Sequence, residues 1–197
     1  MFIQVVQAKT TDPEGVVRQT NKWNDEVRPG AKGFLGSTGG VADDGTMIAV
    51  VRFADEAAAK ANSERPEQSA WFNEMEKYLT DVSFRDTSDT EEPMGPGSDK
   101  AGFVQVMQGR VTDRARLKEL EAQFMSEMAK TRPDVIGSVR AWFGDDYVEA
   151  IYFSSEAEAR QGEQTMGGQA DPTFEEFMSL MPNPTFVDLK NPILHSA

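Results

Sequence analysis

Hydrophobic and polar positions near the start of the chain predict a strand, a helix and a hairpin. The segment 2–8 is short, β-branched and aromatic, which favours a strand. Asp12 and Pro13 are residue types preferred at a helix N-cap and at the first helical position, so a helix is expected to follow. The apolar runs 33–41 and 46–53 flank a turn and predict a hairpin.

The rest of the first half predicts helix and then strand. Alanine-rich residues 55–63 favour one short helix, and residues 70–79 favour a second. Residues 82–86 form a last short apolar run that would complete a sheet. The predicted order is that of the ferredoxin-like βαββαβ unit, which places the chain in the α+β class.

The same pattern returns 101 residues later. The segment 2–7, Phe-Ile-Gln-Val-Val-Gln, is repeated at 103–108 as Phe-Val-Gln-Val-Met-Gln, and a Thr-Asp pair follows both copies. Further matches at nearly the same offset are Gly36-Ser37 with Gly137-Ser138, Phe53 with Phe153, and Phe84 with Phe186. Chance is a poor explanation for this series, so the sequence predicts two ferredoxin-like repeats.

Composition sets the expected boundaries of these repeats. Residues 87–100 are rich in proline, glycine and acidic residues, which favours a solvated linker. We therefore expect a first ferredoxin-like domain at 1–86, a linker at 87–100, a second domain at 101–190 and a C-terminal tail at 191–197.

A single unit of this kind covers only one face of its sheet with helices. The bare face is apolar and needs a partner, and the second copy is available for that role. We expect the two repeats to pack sheet to sheet as an intramolecular pseudo-dimeric α+β barrel, so that the protein is a monomer with an internal pseudo-dimer. A further homodimer is unnecessary for burial, although it stays open.

A tandem vicinal-oxygen-chelate protein is the competing architecture. It would place strand where residues 57–61 and 71–79 favour helix, and it would need metal-binding histidines. The chain has no cysteine and one histidine, so no metal site is predicted.

The net charge of the chain makes two classes of binding partner unfavourable. The net charge is −13, which disfavours nucleic acid and anionic membrane surfaces. No segment resembles a signal peptide or a membrane span, so we expect a cytoplasmic protein.

The two copies resemble a fused pair of dimeric α+β barrel domains of the antibiotic biosynthesis monooxygenase (ABM) type. The resemblance lies in the element order, in the openings 2–7 and 103–108, and in the aromatic helix segment 70–75. It implies the barrel fold more strongly than an activity, because this superfamily includes cofactor-independent quinone-forming oxygenases, haem-degrading enzymes, polyketide cyclases and proteins without an assigned reaction.

The single histidine argues against the haem-degrading branch. That chemistry, as the resemblance implies it, needs an axial histidine near the pocket, whereas His195 lies in the predicted tail. No serine is expected beside His195, so Ser–His catalysis is not predicted either. We therefore expect no cofactor.

A cofactor-free oxygenase needs an apolar aromatic cage, a few hydrogen-bond donors and a base. Arg52 and Tyr152 occupy equivalent strand positions with different chemistry, and we predict them as catalytic, Arg52 binding an anion or enolate and Tyr152 donating a proton. The predicted ligand-binding residues are amides on the first strand of each copy and two tryptophans, namely Gln4, Gln7, Gln105, Gln108, Trp71 and Trp142. The plainer interpretations are solvated amides, core tryptophans, a surface salt bridge of Arg52 and an ordinary strand tyrosine at position 152.

Three functions stay open from the sequence. The first is a monooxygenase-like enzyme, or a cyclase or isomerase, acting on a hydrophobic small molecule. The second is a module that binds such a molecule without transforming it. The third is a structural or stress-related barrel whose interior is filled by its own side chains.

Overall fold

The computed structural model describes residues 1–167 and 172–196, without the side chains of residues 124, 126, 127, 166 and 167. The chain divides into two compact units. Unit 1 consists of residues 1–90 together with the segment that begins at Asn191, and unit 2 is Glu91–Lys190.

Unit 1 contains three helices and one antiparallel sheet. Its elements are β1 (Phe2–Lys9), α1 (Pro13–Lys22), β2 (Phe34–Val41), β3 (Thr46–Phe53), α2 (Glu56–Ser63), α3 (Pro66–Met75), β4 (Thr80–Thr87) and β10 (Ile193–Ser196). A π-helical turn at Trp23–Val27 and a 3-10 turn at Arg28–Gly30 continue α1.

Local sequence explains where these elements begin. The Asp12 carboxylate accepts a hydrogen bond from the backbone N–H of Gly15, and Pro13 occupies the first turn of α1. Asp55 caps α2 in the same way, through the backbone N–H of Ala58. Gly45 has a φ of 79° in the hairpin turn between β2 and β3, which favours glycine there.

The sheet of unit 1 has the order β10-β2-β3-β1-β4. Phe2 lies opposite Phe53, and Gln4 lies opposite Val51. Directly opposite residues share a face, and Phe2 and Phe53 pack with Trp23 beyond the end of α1. This face, which carries Phe2, Gln4, Val51 and Phe53, is the helix-covered face.

Unit 2 repeats this plan. Its elements are β5 (Thr90–Glu91), whose first residue is the last of the 1–90 segment, β6 (Phe103–Arg110), α4 (Arg114–Thr131), β7 (Val135–Phe143), β8 (Asp146–Phe153), α5 (Glu156–Gly167), α6 (Pro172–Ser179) and β9 (Thr185–Leu189). The sheet order is β5-β7-β8-β6-β9. The predicted tandem α+β repeat is therefore confirmed, whereas the sheet-to-sheet packing stays a prediction.

Each sheet gains an edge strand from a segment that was expected to be irregular. Residues 193–196 of the predicted tail pair with β2, and Thr90–Glu91 of the predicted linker pair with β7. These strands are four and two residues long, too short for a periodic hydrophobic signal.

Among the described helices, none is both long and apolar enough to cross a membrane.

Candidate functional site

Unit 1 contains a cavity of about 390 Å³ between the helix-covered face of its sheet and the helices. Gln4 and Val6 of β1 line it from the sheet side, and Met75 of α3 lines it from the helix side. Its aromatic lining residues are Trp23, Phe53, Trp71, Phe72 and Phe84. A concave, largely apolar cavity of this size is typical of a small-molecule site.

The polar part of this lining is uncharged. It consists of the amides of Gln4, Asn62, Gln68 and Asn73 and the hydroxyls of Thr20, Ser37, Ser63 and Ser69. Of the described residues that line the cavity, none carries an ionisable side chain. Because an ion without a charged partner is costly to desolvate, the cavity suits a neutral ligand.

Gln68 is held with a defined orientation. Its Oε1 accepts hydrogen bonds from Trp23 Nε1 over 2.7 Å and from Asn62 Nδ2 over 3.3 Å. An indole N–H can only donate, so this bond identifies which end of the amide is oxygen. The Nε2 end of Gln68 is therefore its donor, on a residue that lines the cavity.

A series of neighbouring, mutually tilted aromatic rings connects the core of unit 1 to its surface. Trp71 donates from Nε1 to the Gln19 carbonyl over 2.7 Å, and its ring centroid lies 6.3 Å from that of Trp23 and 6.1 Å from that of Phe72. The Phe72 ring lies 5.6 Å from that of Phe84, whose side chain is 55% exposed. Phe84 is the solvent-exposed end of the aromatic wall.

The C-terminal strand contributes to the same cavity. Ile193 of β10 lines it opposite Gly39 of β2. His195 lies opposite Ser37, with 3.4 Å between Ser37 Oγ and His195 Nδ1. His195 was predicted to lie in a tail away from any serine, and its strand pairing with Ser37 corrects that prediction. Two apolar residues, Ile193 and Leu194, were the only signal for this strand.

Three positions that hold small residues beside the cavity of unit 1 hold charged side chains in unit 2. Arg140 lies opposite Glu149, just as Gly39 lies opposite Ala49 in unit 1. Glu121 stands eight residues after the helix cap Asp113, as Thr20 does after Asp12. Three small residues of unit 1 are thus replaced by two glutamates and an arginine.

These three side chains form a buried ion-pair network. Arg140 Nε donates to Glu149 Oε2 over 2.7 Å, and Arg140 Nη2 donates to Glu121 Oε1 over 2.5 Å. Arg140 is 3% exposed and Glu149 is 1% exposed. Burial opposes the charge of Arg140, but attraction to Glu149 and the bond to Glu121 raise its pKa above the ordinary value, so the guanidinium stays charged.

The network occupies space that is open in unit 1. The cavity of unit 2 measures about 160 Å³, and Glu121, Arg140 and Glu149 are in its wall. Glu149 Oε1 has no hydrogen-bond partner among the described residues. The two repeats therefore share a fold but have chemically different interiors.

Glu91 of β5 extends the charged network. Its carboxylate accepts hydrogen bonds from Lys118 and from Arg114, the latter over 3.0 Å. Burial raises the pKa of Glu91, but these bonds outweigh it and the net pKa lies below the ordinary value. Trp142 lies against the Arg114 and Arg140 guanidinium groups, whose carbons are 4.1 and 5.3 Å from its ring centroid.

Tyr147 adjoins this network, and its titration can be tested. Burial, and secondarily the charge of Glu149, raise the pKa of Tyr147 to about 12. The folded state therefore retains a proton that an unfolded chain loses near pH 10, so the stability contributed by this group is lost as the pH rises towards 12. We expect the tyrosinate absorbance to include a component with a pKa of about 12 that Tyr147→Phe removes. Persistence of that component in the variant would contradict the assignment.

The predicted site residues of unit 1 divide between two faces of the sheet. Gln4 and Trp71 line the cavity. Gln7 and Arg52 are outside its lining, on strand positions that alternate away from Gln4 and Val51. Arg52 is buried, and its guanidinium lies against Gly36.

The predicted residues of unit 2 lie in three environments. Gln105 lines the smaller cavity and donates from Nε2 to Asp188 Oδ1 over 3.0 Å. Trp142 packs in the core with Leu117 and Tyr147 and lies outside the lining of that cavity. Gln108 and Tyr152 occupy the face opposite Gln105 and are also outside that lining. Roles of these side chains in binding or catalysis stay predictions.

Comparison with known proteins identifies the fold. No protein-family model matches the chain, and no curated protein matches it either. A proposed monooxygenase from Fusobacterium nucleatum subsp. nucleatum ATCC 25586 is similar over 99% of this chain and 94% of its own, with 8% identity and a TM-score of 0.71. A proposed monooxygenase from Lactobacillus acidophilus NCFM covers 99% of both chains, with 10% identity and a TM-score of 0.68.

A third similar structure is described as an anthrone oxidase-like protein. It matches 98% of this chain and 93% of its own, with 12% identity and a TM-score of 0.61. Identities this low show a shared fold and nothing more specific. The resemblance to monooxygenase-type tandem α+β proteins, stated from the sequence, is confirmed at that level.

Proposed function

We propose that unit 1 binds a neutral, hydrophobic aromatic molecule and that the protein is a cofactor-independent monooxygenase acting on it. The observation that carries the proposal is the cavity of about 390 Å³, with aromatic walls and only neutral polar groups among its described lining residues. The shared fold of proteins described as monooxygenases supports the class of reaction.

Volume indicates the size of the ligand. An engineered apolar cavity of about 150 Å³ holds one benzene molecule. The cavity of unit 1, at about 390 Å³, is more than twice that size and fits two or three fused rings. Trp71, Phe72 and Phe84 offer ring faces and edges against which such a ligand can pack.

The lining suits oxidation of an electron-rich ring. In the proposed reaction, an enolisable ring methylene becomes a carbonyl, and O₂ supplies one oxygen atom to the product while the other leaves as water. The substrate loses four electrons and O₂ accepts them, so no further reductant is needed. The protein contributes an apolar cavity and the Gln68 amide donor, which would stabilise the oxygen of the enolate formed when the ring methylene loses a proton to solvent.

Non-catalytic binding is the second candidate function. It is favoured because no described lining residue can ionise, so the wall of the cavity itself supplies no general base. A binder needs shape and apolar surface, and the cavity offers both.

Oxygen consumption with a fused-ring ketone separates the two functions. With anthrone as the probe, we expect one O₂ consumed for each product molecule that has gained one oxygen and lost two hydrogens. Turnover must exceed the spontaneous rate measured with a variant whose cavity is filled, Ala49→Phe. Saturable anthrone binding with oxidation no faster than in that variant would support the binder instead.

Gln68→Glu tests the amide donor. This change keeps Oε1 as the acceptor for Trp23 and Asn62 but replaces the N–H donor with a second oxygen. We expect turnover to fall by about 100-fold, which is typical of losing one donor to a developing oxyanion. Binding of naphthalene, which has no oxygen, should change much less. Unchanged turnover in Gln68→Glu would remove Gln68 from the mechanism.

A further inference from the structure

We propose that Ser37 and His195 form the hydroxyl-recognising end of the unit 1 cavity, and that its ligand is therefore bound as an aromatic hydroxyl compound, the form that a fused-ring ketone takes on enolisation. This inference rests on the proposed function and adds the chemical class of the ligand. It begins from the 3.4 Å approach of Ser37 Oγ to His195 Nδ1.

Strand pairing places both residues beside the cavity. Ile193 lies opposite Gly39 and His195 lies opposite Ser37 in the antiparallel pair of β10 and β2. Ile193, Gly39 and Ser37 all line the cavity. His195 is two residues from Ile193 and shares its face of the sheet. The imidazole is outside the cavity lining, and its Nδ1 lies 3.4 Å from the hydroxyl oxygen of Ser37, which lines the cavity.

The Ser37–His195 pair can connect a ligand hydroxyl to the imidazole through two consecutive hydrogen bonds. When Nε2 carries the proton, Nδ1 of His195 accepts from the Ser37 hydroxyl. A lone pair of Ser37 Oγ then accepts from a ligand O–H in the cavity. The chain runs from ligand to serine to histidine, and each bond polarises the next. His195 acts through Ser37 and is a positioning residue.

Unit 2 uses the equivalent serine differently. Ser138 lies opposite Ile151 as Ser37 lies opposite Val51, but its Oγ accepts from the backbone N–H of Met94 over 3.2 Å. The edge strand beside it, β5, consists of Thr90 and Glu91 and contains no histidine. The Ser–His pair is therefore a property of the unit with the large neutral cavity and not of the fold.

Protonation of His195 should reverse which ligand group the Ser37–His195 pair prefers, a hydrogen-bond donor or an acceptor. An imidazole ordinarily titrates at about pH 6.5. Once protonated, Nδ1 donates to Ser37 Oγ, and the serine O–H turns to the ligand as a donor. The neutral pair therefore favours a hydroxyl ligand, and the protonated pair favours an ether or carbonyl.

Charged groups beside β10 also act on the imidazole. Strand β2, residues 34–41, contains no ionisable side chain. The charged groups described at β10 are two arginines, Arg28, which donates to the Ser196 carbonyl over 2.8 Å, and Arg52, whose guanidinium lies beside Gly36 near the His195 carbonyl.

Two matched probes test the proposal, 1-naphthol as the hydroxyl donor and 1-methoxynaphthalene as the acceptor of similar shape. In the natural protein we expect naphthol to bind about tenfold more tightly than the ether at pH 8, as one hydrogen bond allows. At pH 5 this preference should shrink to about twofold or less. Calorimetry at the two pH values gives the dissociation constants.

Variants of the pair should lose this behaviour. In Ser37→Ala and in His195→Phe, naphthol and the ether should bind within about twofold of each other at both pH values. Ser138→Ala is the matched control, because it removes the equivalent serine of the other unit and should keep the natural pattern. Thermal unfolding of each variant checks that the unit is folded.

A second readout uses the single histidine of the chain. Its imidazole gives one set of NMR signals, so the pKa of His195 can be followed without assignment. By linkage, saturation with naphthol should lower that pKa, and saturation with the ether should not. Binding of both probes with equal affinity and an unmoved histidine pKa would overturn this inference and leave the proposed ligand cavity intact. Failure of both probes, and of naphthalene, to bind would contradict the proposed function and this inference together.

Discussion

Arg140→Met is expected to destabilise unit 2 by about 3–5 kcal/mol. Arg140 is 3% exposed and bridges Glu149 and Glu121, and its removal leaves two carboxylates near each other without their cation. Urea unfolding monitored by hydrogen exchange measures the loss, because peptides from β6 to β8 report on unit 2 and peptides from β1 to β3 serve as an internal reference.

The triple variant Glu121→Leu/Arg140→Met/Glu149→Leu provides the matched comparison. Replacing buried ion-paired side chains together with apolar ones is often neutral or stabilising, because the desolvation of the charges disappears with their attraction. Glu91 keeps its bonds to Lys118 and Arg114 in this variant. We therefore expect the triple variant to be far more stable than Arg140→Met alone. If both variants lose the same stability, the effect of Arg140 comes from packing and not from its charge.

Ala49→Phe is expected to weaken binding of 1-naphthol to unit 1 by about 100-fold or more, equivalent to about 2.7 kcal/mol. Ala49 lies on the cavity wall at the position that Glu149 occupies in unit 2, so a phenyl group there takes the space of a ligand ring. Naphthol affinity, measured by quenching of tryptophan fluorescence, gives the result.

Val17→Phe is the control for Ala49→Phe. Val17 belongs to α1 but is 39% exposed and outside the cavity lining, so the same aromatic group is added at a position facing solvent. Naphthol affinity should stay within about twofold of the natural value, since surface changes away from a site have small effects. Equal affinity of the natural protein and Ala49→Phe would place the binding site elsewhere.

The two units show how duplicated sequences can diverge in the chemistry of their interiors without diverging in fold. Opposite positions on the central strands hold Gly39 and Ala49 in unit 1, and Arg140 and Glu149 in unit 2. Gly39 and Ala49 leave an open volume, whereas Arg140 and Glu149 fill the equivalent volume with a guanidinium and a carboxylate. We infer that ligand chemistry is concentrated in unit 1 and that the charged interior of unit 2 has mainly a structural role.

Part of this difference was visible in the sequence. The offset of 101 residues that aligns Gly36-Ser37 with Gly137-Ser138 also aligns Gly39 with Arg140. Period-two alternation along β1 places Gln4 and Gln7 on opposite faces of the sheet, but it leaves open which of them faces the helices. Packing of Phe2 and Phe53 with Trp23 settles that question, and it places Gln4 in the cavity wall.

The sequence by itself determined the repeat, the order of helices and strands in each copy and the α+β class. These follow from contacts close along the chain, such as the Asp12 and Asp113 caps and the period of apolar residues. Only the tertiary structure decided the edge strands, the approach of His195 to Ser37 and which copy retains an open cavity. Ser37 and His195 are 158 residues apart, and their approach depends on backbone pairing between distant strands, for which two to four residues of local sequence contain no periodic signal.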